Sequence, residues 1–198
     1  MRDVILASTS RTRGMILTNA GVSFTAIAPG VDEDTIKASL RAEGASAAEA
    51  AEALAEVKAI RLSGRHHDAL VIGADQMLVS EDRWYDKPHD RAAARRQLQE
   101  LRGKSHQLVT SAVVMLGGQR VWHHVERANL TMRPFSEAFL DHYLDQAGED
   151  ILSSVGAYQL EGIGAQLFSK VEGDHFVILG LPLLPLLDFL RVHGVLPQ

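Results

Sequence analysis

The segment Leu70-Val71-Ile72-Gly73-Ala74-Asp75-Gln76-Met77-Leu78-Val79 constrains this chain more than any other part of it. It is an apolar, partly β-branched run broken only by one acid and one amide, and such a run reads as a strand buried in a sheet. An ionised carboxylate in a buried strand costs free energy unless it is paired or put to use. Asp75 is therefore either the cap of an Asx turn at a strand end or a member of a site, as metal ligand or as base.

The flanking sequence predicts helices around such a strand. An apolar run over residues 4–7 stops at Ser8, and a helix follows over about residues 10–20, ended by Gly21. Ser46-Ala47-Ala48-Glu49 has the form of a capping box, with Ala50, Ala53, Leu54, Val57 and Ile60 behind it as the expected inner face. Asp90 caps a second helix that turns Ala94, Gln97, Leu98 and Leu101 inward and stops at Gly103. Two β-rich stretches, 105–116 and 120–132, meet at Gly117-Gly118 as a hairpin. Ser136 caps a helix presenting Phe139, Leu140, Tyr143 and Leu144, and a last helix runs from Pro182 towards Gly194 after a glycine-rich segment, 156–180. Helices alternating with isolated strands and a hairpin predict an α/β protein with a mixed sheet.

Composition narrows the function. At 198 residues, 46% hydrophobic and 23% charged, the chain can bury a core of its own as one domain over 1–198. Its apolar runs are too short to span a membrane. The apolar run before Ser8 is only four residues long, too short for a secretory signal, and with no cysteine the expected compartment is the cytoplasm. A net charge of −5 disfavours broad contact with nucleic acid, so any phosphate chemistry falls to a few cations in a cleft.

The turn Ser8-Thr9-Ser10-Arg11-Thr12-Arg13 places hydroxyls and guanidinium groups at a helix start, where backbone N–H groups are unpaired. It reads either as an ordinary cap with solvated arginines or as a phosphate site built from Ser8, Ser10 and Arg13. Lys87, held by Pro88, is either a solvated lysine or a phosphate counter-charge. Glu33, within Val31-Asp32-Glu33-Asp34, either binds magnesium or caps a short helix. Other signals carry less. Gly103-Lys104-Ser105 lacks the earlier glycine of a phosphate-binding loop and leads into a strand. His66-His67-Asp68 and His89-Asp90 suggest a histidine-aspartate phosphohydrolase, but His89 stands in a proline turn. His123 and His124 are strand neighbours that face opposite sides and cannot share a metal.

Taken in order, Leu6-Ala7-Ser8-Thr9-Ser10 with Arg13, Val31-Asp32-Glu33, Lys58-Ala59, Gly73-Ala74-Asp75-Gln76, Lys87-Pro88, Ala157-Tyr158-Gln159-Leu160-Glu161-Gly162-Ile163-Gly164 and Gly180-Leu181-Pro182-Leu183 resemble the Maf family of nucleotide pyrophosphatases. The resemblance covers essentially the whole chain. It implies an elongated mixed sheet flanked by helices, with two lobes around a central nucleotide-binding cleft, as in Maf and inosine triphosphatase-like folds. It further implies a homodimer that converts a nucleoside triphosphate to the monophosphate and pyrophosphate with magnesium or manganese. A link to septum formation, division arrest and cleansing of the nucleotide pool comes with it.

By this resemblance Asp75, Lys58 and Lys87 are the catalytic candidates, and Glu33 with Asp75 the metal candidates. Ser8, Ser10, Thr12, Arg13, Gln76 and Glu161 would bind substrate. Gln76 and Glu161 look like the branch acting on 7-methyl-GTP, since the branch acting on dTTP and UTP has threonine and glutamine there. A carboxylate accepts from the donors of a guanine edge. Arg11 and Thr12 depart from the proline and the arginine or tryptophan usual at that turn. The competing reading is a module that senses nucleotide without hydrolysing it.

Overall fold

The computed structural model describes residues 2–197. Among them, strands β1 (Val4–Leu6), β2 (Thr25–Ala26), β3 (Leu70–Ser80), β4 (Arg83–Tyr85), β5 (Ser105–Leu116), β6 (Gln119–Met132) and β7 (Phe168–Glu172) form one mixed sheet. The strand order is β2-β1-β3-β5-β6-β7, with β4 paired to β3. β1 runs parallel to both β2 and β3, whereas β4 and β7 pair antiparallel with β3 and β6. The helices are α1 (Arg11–Asn19), α2 (Glu33–Ala42), α3 (Ala47–Ser63), α4 (Arg91–Leu101), α5 (Glu137–Ala147), α6 (His175–Ile178) and α7 (Leu183–Val192). None is long and apolar enough to cross a membrane. The mixed α/β class expected from the sequence is the one observed.

The residues group into two compact units, one holding the chain up to Gln76, Thr110–Glu126 and the part from His175 onward, the other holding Met77–Val109 and Arg127–Asp174. In the first unit both faces of the sheet are covered, and the strict two-residue period of a strand decides which side chain meets which helix. Val4, Leu6, Leu70, Ile72, Ala74, Ala112 and Val114 pack on Ile16 and Leu17 of α1 and on Leu183, Leu186, Phe189 and Leu190 of α7. The intervening Ile5, Ala7, Val71, Val113 and Met115 pack on Ala55, Ala59 and Leu62 of α3. By the same parity Gly73 and Asp75 face α3, and Gln76 faces the other side.

α3 begins with the predicted capping box: the Glu49 N–H donates to Ser46 Oγ at 3.3 Å and the Ser46 N–H to Glu49 Oε2 at 2.7 Å. Its inner face differs from expectation. Ile60 is 45% exposed, and the fully buried positions include Ala50, Ala51, Leu54, Ala55 and Ala59. Small side chains let the helix lie almost against the strand. A Cβ on Gly73 would come within 2.0 Å of the Ala55 carbonyl oxygen and 2.9 Å of the Ala59 nitrogen. The acidic stretch around Glu33 proves to be the start of α2, capped by Asp32, whose Oδ1 accepts from the Thr35 N–H at 3.1 Å.

The second unit is built on α4 and α5. Asp90 and Ser136 cap them as predicted, with Asp90 Oδ1 accepting from the Ala93 N–H at 2.6 Å and Ser136 Oγ from the Phe139 N–H at 3.2 Å. Arg95 and Arg102 tie α4 to Glu137 of α5 at 2.8 and 2.7 Å. The stretch between α5 and β7, which includes the start of the glycine-rich segment, forms three short 3-10 turns, Asp150–Ser153, Val155–Ala157 and Ile163–Leu167.

Because α3 and β3 touch through backbone at Gly73, Gly73→Ala must push them apart. It is expected to destabilise the protein by about 1–3 kcal/mol, the usual cost of overpacking a core. Gly64→Ala, at the open end of α3 with nothing within 4 Å of the added carbon, is the control. Urea unfolding checks both: a lowered midpoint for Gly73→Ala at unchanged slope, and none for Gly64→Ala.

Candidate active site

The site begins where β1 ends. Ser8 is buried beyond the strand, and the Ser10 N–H donates to its Oγ at 3.1 Å. Ser10 is the N-cap of α1, its Oγ accepting from the Arg13 N–H at 3.3 Å. The first turn of α1 holds no acid and instead carries Arg11 and Arg13. This inverts the usual preference, since the positive end of a helix favours anions. Arg13 Nε donates to the Gly180 carbonyl at 2.7 Å, and its Nη1 reaches Ser8 Oγ at 3.5 Å. Burial pushes the Arg13 guanidinium below its ordinary pKa, while the charges of Asp75 and Glu33 push it back up. Gly180, with φ of +96°, stands just before α7, and a Cβ there would touch the guanidinium at 3.5 Å.

On the α3 face of β3, Asp75 is 4% exposed and Lys58 5% exposed. Lys58 Nζ donates to Asp75 Oδ1 at 2.6 Å and also meets Glu33 Oε1 at 2.9 Å. The close approach of α3 at Gly73 is what brings Lys58 within reach, because Asp75 is the next residue on the same strand face. Asp75 Oδ2 is buried without a hydrogen-bond partner. A buried carboxylate oxygen left open in this way loses its hydration with no return, so it marks a place built for something else.

Gln76 points to the opposite face. Its Nε2 donates to Thr110 Oγ1 at 2.9 Å and to the carbonyls of Val177 at 2.9 Å and Ile178 at 3.1 Å. Thr110 Oγ1 in turn donates to the Val177 carbonyl at 2.9 Å. These acceptors fix which end of the amide is nitrogen and leave Oε1, an acceptor, as the group to offer a ligand. Thr12 is half-buried in the first turn of α1.

Ser8, Ser10, Arg13, Lys58, Asp75 and Glu33 thus come together in the first unit, with Gln76 on the same strand. Lys87 and Glu161 belong to the second unit. Lys87 is exposed and lines a cavity of about 280 Å³ with Arg83, Tyr85, Asp86 and Arg96. Glu161 is exposed on a turn closed by the Gly162 N–H donating to the Gln159 carbonyl at 3.3 Å. A Cβ on Gly164 would fall 2.3 Å from that same carbonyl oxygen, so the turn can be this tight only with glycine there.

Sequence reasoning missed Thr110 and the carbonyls of residues 177, 178 and 180. Thr110 carried a usable signal, a hydroxyl inside an apolar strand, whereas a main-chain carbonyl carries none. Among the described residues no group of three or more histidines, cysteines or acids is placed to hold a metal. His89 instead pairs with Asp90 at 3.2 Å, and His123 with Glu52 at 3.2 Å. Glu33 and Asp75 nevertheless suit a magnesium or manganese ion. Their carboxylate oxygens are hard donors, Asp75 Oδ2 is open, and magnesium is commonly held by one or two carboxylates together with substrate phosphates.

Residues 3–193 match the family model described as Maf-like protein. The chain is 60% identical over 193 residues to the nucleoside triphosphate pyrophosphatase of Rhodospirillum rubrum, covering 98% of this chain and 96% of that one. It is 53% identical over 196 residues to the protein of the same name from Caulobacter vibrioides, covering 99% and 98%. To the 7-methyl-GTP pyrophosphatase of Brucella abortus it is 47% identical over 188 residues, covering 95% and 94%. Matched over nearly its full length, and carrying the buried acid, its lysine and the serine-arginine turn in one place, the chain belongs to the Maf family.

Proposed function

We propose that this protein hydrolyses a nucleoside triphosphate to the monophosphate and pyrophosphate, with the Lys58–Asp75 pair at the centre of the reaction. The observation that carries this reading is the open Oδ2 of Asp75 beside a lysine that holds Oδ1 at 2.6 Å. Anchored through one oxygen, the carboxylate presents the other in a fixed direction to the O–H of a water. As the water oxygen bonds to phosphorus and the bridging P–O bond of the anhydride breaks, Asp75 takes the water's proton. Ser8, Ser10 and the unpaired N–H groups of α1 donate to phosphate oxygens, and Arg13 adds its charge from a position fixed by Gly180. Lys87 is a further phosphate counter-charge. Glu33 and Asp75 would hold a divalent ion, which when bound neutralises phosphoryl charge.

For the base, we favour guanine, with 7-methyl-GTP as the leading substrate. The nitrogen of Gln76 is engaged within the protein, so its oxygen remains as an acceptor, and the carboxylate of Glu161 is a second acceptor. Guanine sets two donors, N1–H and the N2 amino group, side by side, where uracil and thymine have one N–H between two carbonyls. Methylation at N7 also makes the ring cationic, which a carboxylate favours. Relatives at 47% and 48% identity named 7-methyl-GTP pyrophosphatase support this choice.

Release of pyrophosphate with magnesium or manganese, followed across canonical and methylated triphosphates, tests the activity. Asp75→Asn is expected to lower kcat by about 100-fold or more, in the range of a lost general base. A panel in which no triphosphate turns over faster than with that variant would falsify the assignment, and bound triphosphate recovered intact would point to sensing. Lys58→Met leaves Asp75 buried and unpaired and is expected to cost about 3–5 kcal/mol in urea unfolding. Adding Asp75→Leu should recover most of that stability and none of the turnover. Glu161→Gln should shift kcat/KM away from 7-methyl-GTP and towards UTP and dTTP, by about tenfold for one lost charged hydrogen bond.

A further inference from the structure

One buried titratable side chain of the second unit has no part in the chemistry above. His106, the second residue of β5, is 2% exposed. Its Nε2 lies 2.7 Å from the Tyr158 hydroxyl, and its Nδ1 has no hydrogen-bond partner. The Phe168 ring closes the group, 4.8 Å from Tyr158 in an edge-on contact and 5.9 Å from His106.

Much of the local chain is arranged to put Tyr158 there. Gly156 and Ala157 both take positive φ, +80° and +58°. The second of these is a strained conformation for a residue with a side chain. A Cβ on Gly156 would meet the Tyr158 ring at 2.7 Å, so the ring fits only because residue 156 is glycine. Tyr143 Oη donates to the Ala157 carbonyl at 3.0 Å and pins the bend from below. Immediately after Tyr158 comes the tight turn that carries Glu161.

The fold alone would be served better by an apolar pair. Burial pushes His106 down to about 4, so the ring is neutral near pH 7. If the phenol donates to Nε2, the proton on Nδ1 is left without an acceptor. If Nε2 donates to the phenol oxygen, the phenol's own proton is the one left over. Either way a buried donor goes unsatisfied, a cost that two phenylalanines would not carry. What the polar pair adds is direction: a hydrogen bond sets both the depth and the rotation of the Tyr158 ring, whereas apolar contact sets neither closely.

We propose that His106 is a positioning residue for base recognition, fixing through the Tyr158 hydroxyl the turn that presents the Glu161 carboxylate. It rests on the reading that Glu161 meets the base. Glu161 follows Tyr158 closely in the chain, so slippage of the buried anchor moves the carboxylate with it. Displacement by about 1 Å is enough to weaken a directed contact substantially.

The test compares wild type, Tyr158→Phe, His106→Phe/Tyr158→Phe, His106→Gln and Glu161→Gln in steady-state turnover of 7-methyl-GTP and UTP, with thermal unfolding alongside. The double phenylalanine variant is expected to unfold at or above the wild-type temperature, because the unsatisfied donor is gone. Its KM for 7-methyl-GTP should nevertheless rise about tenfold while kcat stays within about twofold, and its preference over UTP should fall to match. His106→Gln, whose amide can still meet the phenol, should recover part of the preference. Tyr158→Phe alone gives the same reading should the double variant not fold. A folded variant without the hydroxyl that keeps wild-type KM and preference, while Glu161→Gln changes them, overturns the role of His106. If Glu161→Gln changes nothing either, the base-contact reading falls and takes this inference with it.

Discussion

The contact between Lys58 and Asp75 sets the terms for the first unit. Two opposite charges, each about 95% buried, are tolerable only if they meet at hydrogen-bond distance, and here they meet at 2.6 Å. For Lys58 to arrive there, α3 must lie against β3 with nothing between. That demand explains a helix faced with alanine and a strand that carries glycine two residues before the acid. Larger side chains on α3 would have added apolar burial and moved the lysine out of reach. Some packing energy is therefore forgone to hold one charged pair in place, and a pair that served stability alone would not justify it, since buried ion pairs are often no better than apolar ones of the same volume.

Strand parity makes the same point for Gln76. Adjacent residues of β3 deliver an acid to one face and an amide to the other. The acid is anchored by a helix side chain, the amide by Thr110 and the carbonyls beside α6. Each is thereby left with one unengaged oxygen of known direction. Rigid presentation of acceptors by a central strand costs no ordering when a ligand arrives, which is the main requirement of a preorganised site.

Much of this was legible in the sequence because the signals were local and chemical. An acid in an apolar run, a capping box, a two-glycine turn and a serine-arginine helix start each have a direct physical meaning, and each appears where it was expected. The inner face of α3 was misjudged because alanine is weakly hydrophobic. Counting larger side chains put Ile60 inside, whereas close approach to Gly73 selects the alanine stripe. β4 and β7 escaped because β4 has only three residues and β7 is largely exposed, so neither alternation nor an apolar run announces them. Of the partners of Gln76 and Arg13 that escaped, all but Thr110 are main-chain carbonyls, and every residue has one. Membership of the family was readable only from the order of many weak motifs, which no single segment carries.

Charge accounting at the site bears on how a polyphosphate could be held. Arg13 and Lys58 contribute two positive charges, and Glu33 and Asp75 two negative ones, so the four cancel. Lys58 is engaged with both acids and Arg13 with the Gly180 carbonyl, so neither is a loose cation waiting for phosphate. A triphosphate brings several negative charges into a group of zero net charge in a chain that is itself acidic, with a formal net charge of −5. The N-terminus of α1, with Arg11 beside it and no acid in its first turn, offers only part of the balance. The remainder is what the divalent ion proposed for Glu33 and Asp75, together with the proposed counter-charge of Lys87, would supply.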